Sequence, residues 1–590
     1  MTDIPTIDWT PEGPRSVRYG DVYFSREDGL AESRAVFLQG CGLPDAWRGR
    51  SDFVVGELGF GTGLNIAALL DLWRRERPRG ARLHIFSIEA FPLSREEAER
   101  ALAAWPELAP VVQPLVERWP ARAPGLHRVD LPELNAQLDL FVREAGEALA
   151  TWSGRADAWF LDGFAPATNP EMWREEVLAG VAARSAPGAR AATFTVAGAV
   201  RRGLAAQGFA VEKRQGFGRK RERLEAQAPG EAADRPRPRS IAVVGAGIAG
   251  AALARALRAE GFEPVLVEAT GPGAGASGNP AALVTPRLDA GGGALAVLAA
   301  QALERACTLY REVPGAVIAE GVLQLEAQPR DAARFDRIAE QPFWDTGAVQ
   351  RLDAAAASAR LGEPSDRGGL HLRDALAIEP AAALAAWIGP AQVVVATAAR
   401  LEPTAVGWAV LDETGAAVLE AEAVILAAGI GLQPLAPALP LSPVRGQASI
   451  APSADQPAPA AWGGYVVPTR ESVLFGATHD RGEAASNLRP EDDRRNLEIL
   501  ARARPRLAAT LAGGPMTGRA SVRAATPDRL PVCGEIGPGL FVLGGLGSRG
   551  FSLAPLLAEH LAATLAGTPS PLPREAAALV APARFARDDS

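Results

Sequence analysis

Two glycine-rich turns of the kind that brings a main chain against a bound nucleotide occur in one 590-residue chain, and they are not copies of each other. The first reads Glu57-Leu-Gly59-Phe-Gly61-Thr-Gly63-Leu-Asn65. The second reads Val243-Val-Gly245-Ala-Gly247-Ile-Ala-Gly250, with Glu268 closing the next apolar run 18 residues past the last glycine. Each follows a short apolar segment and precedes a stretch of helical periodicity, so each predicts a strand, a sharp turn and a helix. A chain that holds both is expected to have two ligand sites and to carry out two different reactions.

Length alone allows about three to four folding units. A hydrophobic share of 48% is enough for globular cores. No run of 18 uninterrupted apolar residues appears, and Met1-Thr-Asp-Ile-Pro has no basic region followed by an apolar one, which argues against a membrane span and a secretory signal. The three cysteines, Cys41, Cys307 and Cys533, are too few and too scattered for a disulfide framework or a zinc cluster. The expectation is a soluble cytoplasmic protein without a structural metal, a monomer unless something outside the sequence says otherwise. A net charge of −8 does not advertise a nucleic-acid binder. One stretch stands out: the only two lysines of this arginine-rich chain, Lys213 and Lys220, fall in a basic cluster with Arg214, Arg219 and Arg221. A solvated face is the ordinary explanation of such a run.

Strands are predicted at 53–56, 83–88, 156–161 and 191–196, alternating with helical stretches such as 64–73, the pattern of a parallel sheet with right-handed crossovers. Residues 225–239, rich in Ala, Pro, Arg and Glu, read as a linker between a domain at 1–224 and a second at 240–590. In the second domain, strands are predicted at 240–244, 264–267, 423–427 and 540–543, with a helix at 251–260. The residues between them suffice for an inserted substrate domain. The alanine run 354–357 reads as compositional.

In the first turn, Gly59, Gly61 and Gly63 permit positive φ and a close approach of backbone to ligand, with Glu57 and Asn65 at its flanks. Glu89, ending the next predicted strand, can take both hydroxyls of a ribose, or can serve as a strand-end helix cap. Asp162 ends another strand, where ligands collect in open α/β sheets, although an aspartate there can also simply form a turn. Trp159, Phe164 and Trp173 read as packing residues. In the second turn, Gly245, Gly247 and Gly250 suit a pyrophosphate at a helix N-terminus. Glu268 suits an unphosphorylated ribose, which disfavours NADP; the turn does not by itself separate FAD from NAD.

The segments Glu57-Leu-Gly-Phe-Gly-Thr-Gly-Leu-Asn65, Leu161-Asp-Gly-Phe-Ala-Pro-Ala, Asn169-Pro-Glu-Met-Trp and Gly216-Phe-Gly-Arg-Lys-Arg-Glu222 resemble the methyltransferase half of the bifunctional tRNA wobble-uridine modification enzymes. Gly275-Ala-Ser277-Gly278-Asn279, Pro443-Val-Arg-Gly-Gln447 and Gly544-Gly-Leu-Gly547-Ser-Arg549-Gly resemble flavoproteins of the glycine-oxidase and D-amino-acid-oxidase class, to which the other half of those enzymes belongs. The resemblance covers nearly the whole chain. It implies an α/β fold: a Rossmann-like S-adenosylmethionine methyltransferase domain, then an FAD-binding Rossmann domain with an inserted α+β substrate domain. It implies FAD and S-adenosylmethionine as cofactors and tRNA as partner. The implied chemistry removes a carboxymethyl group oxidatively from the amine of the modified uridine, then methylates that amine. Cofactor contacts are expected from Ser277, Gly278, Gly429 and Gly547 in addition to the two turns, and RNA contacts from Lys213, Arg214, Arg219, Lys220 and Arg221. Asp162 is expected to orient the amine and to accept or relay its proton. A carboxylate substrate calls for a bidentate arginine: Arg523 or Arg549, with Arg445 third, although Arg445 can instead brace a turn. His479 fits either a polar site or a satisfied structural role. Where another hydroxyl or amide is expected after Asn279, this chain has Pro280-Ala281. The competing reading is a small-molecule amine oxidase fused to a small-molecule N-methyltransferase, which the acidic charge balance favours and the basic cluster opposes.

Overall fold

The computed structural model describes residues 7–10, 13–25, 28–218 and 221–586. It divides into two compact units. One holds the chain up to Pro236 together with Ala566–Arg574; the other holds Arg237–Leu565 and the residues from Glu575 onward.

In the first unit, eight strands form one sheet in the order Gly125–Leu131, Ala136–Val142, Arg82–Glu89, Asp52–Leu58, Ala156–Leu161, Ser185–Thr193, Glu222–Gln227 and Ala210–Gln215. The five strands from Ala136–Val142 to Ser185–Thr193 run parallel, and the outer ones are antiparallel. The Asp52–Leu58 strand is buried along its whole length, as a strand covered on both faces must be. Apolar clusters lie on each side. One contains Trp47, Phe53 and Trp73. In the other Phe86 stacks on Trp152 at 4.0 Å between ring centroids, and Trp159 and Trp173 are buried packing residues as expected. Strand order reverses between Asp52–Leu58 and Ala156–Leu161, because the chain moves to one side after the first strand and returns to the other. That switch point is where a crevice opens at the carboxyl ends of the strands.

Two sequence boundaries shift. The strand predicted at 191–196 is Ser185–Thr193. It stops because the Thr193 hydroxyl accepts from the Thr195 amide and the Thr195 hydroxyl from the Ala197 amide, both at 3.3 Å, so side chains capture the backbone. The first three residues of the proposed 225–239 linker are sheet: Glu222–Gln227 pairs on both edges and buries Leu224 and Ala226. Alternating burial decides that strand, and its Ala/Glu/Gln composition hides the alternation.

The second unit has a six-stranded sheet in the order Gln392–Val395, Val265–Glu268, Ile241–Val244, Ala423–Leu426, Leu540–Gly544 and Val532–Gly537. All are parallel except the last. The Ile248–Ala259 helix follows the central strand. A mixed ten-stranded sheet supplies the substrate domain. It includes the long Ser442–Pro452 strand, flanked by Ser472–Gly476 and Thr517–Ala525. The alanine run at 354–357 is not merely compositional: it opens the Ala354–Leu361 helix, capped by the Asp353 carboxylate, which accepts from the Ala356 amide at 2.7 Å. All three cysteines are buried and unpaired. No helix among the described residues is long and apolar enough to cross a membrane.

Candidate active sites

In the first unit, the turn after the Asp52–Leu58 strand carries φ of 84°, 52° and 79° at Gly59, Gly61 and Gly63, values that favour glycine. A Cβ at Gly59 would stand 3.2 Å from the Asp162 carbonyl oxygen, so the turn passes directly beside the end of the neighbouring strand. Glu89 anchors it: one carboxylate oxygen accepts from the Gly61 amide and the other from the Phe91 amide, each at 3.0 Å. Each oxygen keeps a lone pair for a diol. Burial raises the Glu89 pKa against those hydrogen bonds.

Beneath the turn Glu57 is fully buried. Ser87 Oγ donates to one of its oxygens at 2.5 Å, and the other has no partner among the described residues. Desolvation pushes the Glu57 pKa well above the usual carboxylate range, partly opposed by the Ser87 hydrogen bond. An orphaned buried oxygen beside a glycine turn is what a site built to meet a ligand's polar group presents. Asp162 is held at both ends: Asn65 Nδ2 donates at 2.7 Å to one oxygen and the Gly163 amide at 2.8 Å to the other. Asn65 therefore contacts the candidate base, a relation the spacing of 97 residues conceals. Sequence reasoning gave no site role to Tyr19, Tyr23 or Asp21. Tyr19 and Tyr23 pack on Phe164 with ring centroids 4.7 and 5.3 Å away, and Asp21 accepts from the Ala165 amide. No motif marks Tyr19 or Asp21; only folding of the N-terminal segment over the turn brings all three there.

In the second unit a cavity of about 610 Å³ opens at the carboxyl ends of the parallel strands, a size suited to a large organic cofactor with part of its substrate. Gly245, Gly247, Glu268, Ser277, Gly429 and Gly547 line it, as do Arg523 and Arg549. Glu268 repeats the device seen at Glu89, accepting from the Ala246 amide at 2.7 Å and the Thr270 amide at 3.3 Å. Ser277 Oγ accepts from the Ile248 amide at 3.0 Å, capping the helix that points at the cavity. Gly250 and Gly278 do not line it. A Cβ on Gly250 would lie 1.9 Å from the Gly245 carbonyl oxygen, so Gly250 serves close packing of helix on turn; a Cβ on Gly278 would lie 2.2 Å from the Gly273 oxygen. Arg519, which the sequence reading passed over, ties this segment down by donating to the Ala274 and Gly275 carbonyls at 2.9 and 2.7 Å. The glycine approaches, the strand-end carboxylate and the helix terminus fit a dinucleotide such as FAD.

Arg523 lies across Gly446, where a Cβ would come within 2.4 Å of its guanidinium. Its Nη1 meets His479 Nδ1 at 3.4 Å. Burial, then Arg523, lowers the His479 pKa. Arg549 Nη1 bonds to Thr285 Oγ1. Burial, reinforced by Arg287, lowers the Arg549 pKa to about 10, which leaves it charged at neutral pH. Arg445 is fully buried and bonds to Asp492 at 2.6 Å and to the Asn487 carbonyl at 2.7 Å; it braces the sheet and does not line the cavity. Ala281 lines the cavity where a polar group was expected, and Thr285 brings a hydroxyl there from farther along the chain.

The basic cluster is partly neutralised. Lys213 pairs with Glu222 at 2.8 Å and Arg214 with Glu212 at 2.5 Å. Arg221 is exposed, and Arg219 and Lys220 lie outside the described residues.

Both folds and both sites describe a two-headed enzyme: a nucleotide-type methyltransferase unit and a flavoprotein oxidoreductase unit in one chain. Residues 240–564 match the FAD dependent oxidoreductase family, and residues 106–229 match an S-adenosyl-L-methionine-dependent methyltransferase family. The chain is 60% identical, over 98% of its length and 97% of the relative's, to the tRNA 5-methylaminomethyl-2-thiouridine biosynthesis bifunctional protein MnmC of Caulobacter sp. strain K31. It is 44% identical to the MnmC of Maricaulis maris, over 99% and 96% of the two chains. The chain belongs to the MnmC family, and its cofactors are FAD and S-adenosylmethionine. Among solved structures, an iminodiacetate oxidase from Chelativorans sp. BNC1 superposes with a TM-score of 0.51 at 22% identity, covering 58% of this chain and 99% of that one. A Bacillus cereus glycine oxidase gives 0.50 at 19%, covering 60% and 99%. These likenesses establish the fold of the second unit.

Proposed function

We propose that the second unit removes the carboxymethyl group from 5-carboxymethylaminomethyl-(2-thio)uridine at the wobble position of tRNA, and that the first unit methylates the amine so exposed. The order follows from chemistry, since methyl transfer needs the liberated nitrogen. Bound FAD accepts the hydride in the first reaction and bound S-adenosylmethionine supplies the methyl group in the second. Arg523 and Arg549, both charged and both lining the cavity, hold the substrate carboxylate and so set the C–N bond in place. Loss of hydride from the carbon beside that carboxylate leaves an imine, and water releases glyoxylate and the free amine.

An alkyl amine titrates near 10.4, so only about one in a thousand or fewer is neutral at pH 7. Deprotonation adds roughly 4–5 kcal/mol to the methylation barrier unless the site removes the proton. Asp162 accepts or relays it. The observation that carries this role is the pair of hydrogen bonds from Asn65 and Gly163, which fix both carboxylate oxygens beside the Gly59 turn. With tRNA as substrate, the enzyme works in the cytoplasm.

The test incubates purified protein with undermodified tRNA and, separately, with glycine and sarcosine, following nucleoside mass and flavin bleaching. The expected result is bleaching by the tRNA and appearance of the methylaminomethyl nucleoside. Turnover of the free amino acids alone would overturn the reading.

A further inference from the structure

Many arginines of this acidic protein are matched with acids; Asp71 alone draws Arg34, Arg74 and Arg75. The mouth of the second unit's cavity is different. Arg523 and Arg549 line the cavity itself. Arg287 Nη1 donates to the Arg529 carbonyl at 3.1 Å, and Arg287 adds to the charge felt by Arg549. Arg481 faces Val444 across one edge of its strand and Arg523 faces Val444 across the other, and Arg481 and Arg529 both bear electrostatically on His479, the contact of Arg523. Five guanidinium groups thus gather at this cavity, two in its lining and three close beside those two. Among the described residues none of the five has a carboxylate at ion-pair distance.

The carboxylates facing this region are already engaged. Asp480 is taken by Arg495 at 3.0 Å and lies 3.6 Å from Arg445. Asp528 is taken by Arg584 at 2.9 Å. Asp289 caps its own turn through the Gly291 amide at 2.8 Å, and Glu483 pairs with Arg489. Arg529 also holds a positive φ of 60°, rare for a residue with a side chain. Its turn is locked by Thr526 Oγ1, which donates to the Leu530 carbonyl at 2.6 Å, and by Arg584, which donates to the same carbonyl at 3.0 Å. Repulsion among unpaired cations lowers stability, so such a cluster implies an anionic partner. A substrate carboxylate can engage the two innermost arginines only. The outer three need a larger anion.

We propose that Arg287, Arg481 and Arg529 form a cationic rim that grips the tRNA phosphates on either side of the wobble nucleotide while its modified base enters the cavity. This deepens the proposed function and rests on it. Guanidinium forks match phosphate oxygens, and a backbone grip positions any tRNA sequence without reading it. It also places RNA contacts of the oxidation step on a surface other than the ion-paired Lys213–Glu222 hairpin.

The test compares the wild-type holoenzyme with R287Q, R481Q, R529Q and the triple variant, and with K213Q and R214Q, on tRNA carrying the carboxymethylaminomethyl nucleoside, over a range of salt. Flavin content and absorbance report on folding. Each single change is expected to raise KM for tRNA roughly threefold to tenfold and to lower the log–log salt slope by about one, with kcat within about twofold. Variants with full flavin content, unchanged KM and unchanged salt slope overturn the rim. So does a slope change confined to K213Q and R214Q, which would put the phosphate contacts on the hairpin. If the triple variant loses flavin, the exposed R481Q decides alone by the same criteria. A wild-type enzyme that oxidises glycine or sarcosine but no tRNA fails at the earlier step, and the rim falls with the function it serves.

Discussion

At the scale of residues, the two nucleotide turns use one solution twice. Glu89 and Glu268 each close a strand, and each accepts a backbone amide from the glycine turn next door, Gly61 in one case and Ala246 in the other. The carboxylate therefore shapes the turn before any ribose arrives. The sequence reading offered ligand contact or structural role as alternatives at Glu89, and the geometry gives the side chain the capacity for both. Glu57 is the outlier. Its folded pKa lies above the unfolded value of about 4.3, so the native state binds the extra proton between those two values, and stability falls as pH rises through that window. Glutamine cannot ionise. The cofactor-free E57Q protein should melt above wild type at pH 8, by about 2–4 °C for each kcal/mol released, and the gain should shrink toward pH 4. Melting curves across pH measure this. A difference constant with pH would show that Glu57 is charged in the fold.

At the scale of elements, the Ile248–Ala259 helix depends on two residues with different jobs. Gly250 lets it lie on the turn, and Ser277, distant in sequence, caps its first amide. A methyl at position 250 would meet the rigid Gly245 carbonyl, which has no rotamer to move to. G250A should lose about 1–3 kcal/mol and most of its flavin, read as the ratio of flavin absorbance to protein and as a lower Tm. A fully yellow G250A of wild-type Tm would refute the close-packing account. S277A should lose a smaller amount, about 0.5–2 kcal/mol, as cap removal does. The strands leading into the two glycine turns and those ending at Glu89, Asp162, Glu268, Gly429 and Gly544 were legible because their apolar runs end in glycine or an acid; Ala136–Val142 and Gln392–Val395, parallel strands of the same two sheets, were not assigned. The Glu222–Gln227 strand was not, because its buried positions are a leucine and an alanine among charged residues. The ten-stranded substrate sheet was legible only as a stretch of unassigned chain, since its strands pair across long separations such as Ser442 with Ala525.

At the scale of the whole molecule, two cofactor sites in one chain predict a separable relay. D162A should oxidise the carboxymethylaminomethyl nucleoside and then stall, accumulating the aminomethyl form, with methyl transfer reduced about 10²–10⁴-fold. R523L should do the reverse: the starting nucleoside persists, yet tRNA already carrying the aminomethyl group is methylated at the wild-type rate. Mass analysis of digested tRNA separates the outcomes. A D162A enzyme that still methylates at full rate would falsify the assignment of the base, and loss of both reactions in either variant would deny the independence of the sites.

The sequence by itself determined the two nucleotide-binding folds, their order along the chain and the identities of the strand-end acids. Those features are local: a glycine that must turn and an acid that ends a strand are fixed within a few residues of each other. Tertiary structure alone decided which polar groups meet. It set Asn65 against Asp162, buried Arg445 away from the cavity and, among the described residues, left Arg287, Arg481 and Arg529 without an ion pair. The physical reason is that electrostatic and hydrogen-bond partners are chosen by distance in space, and distance along the chain carries almost no information about it.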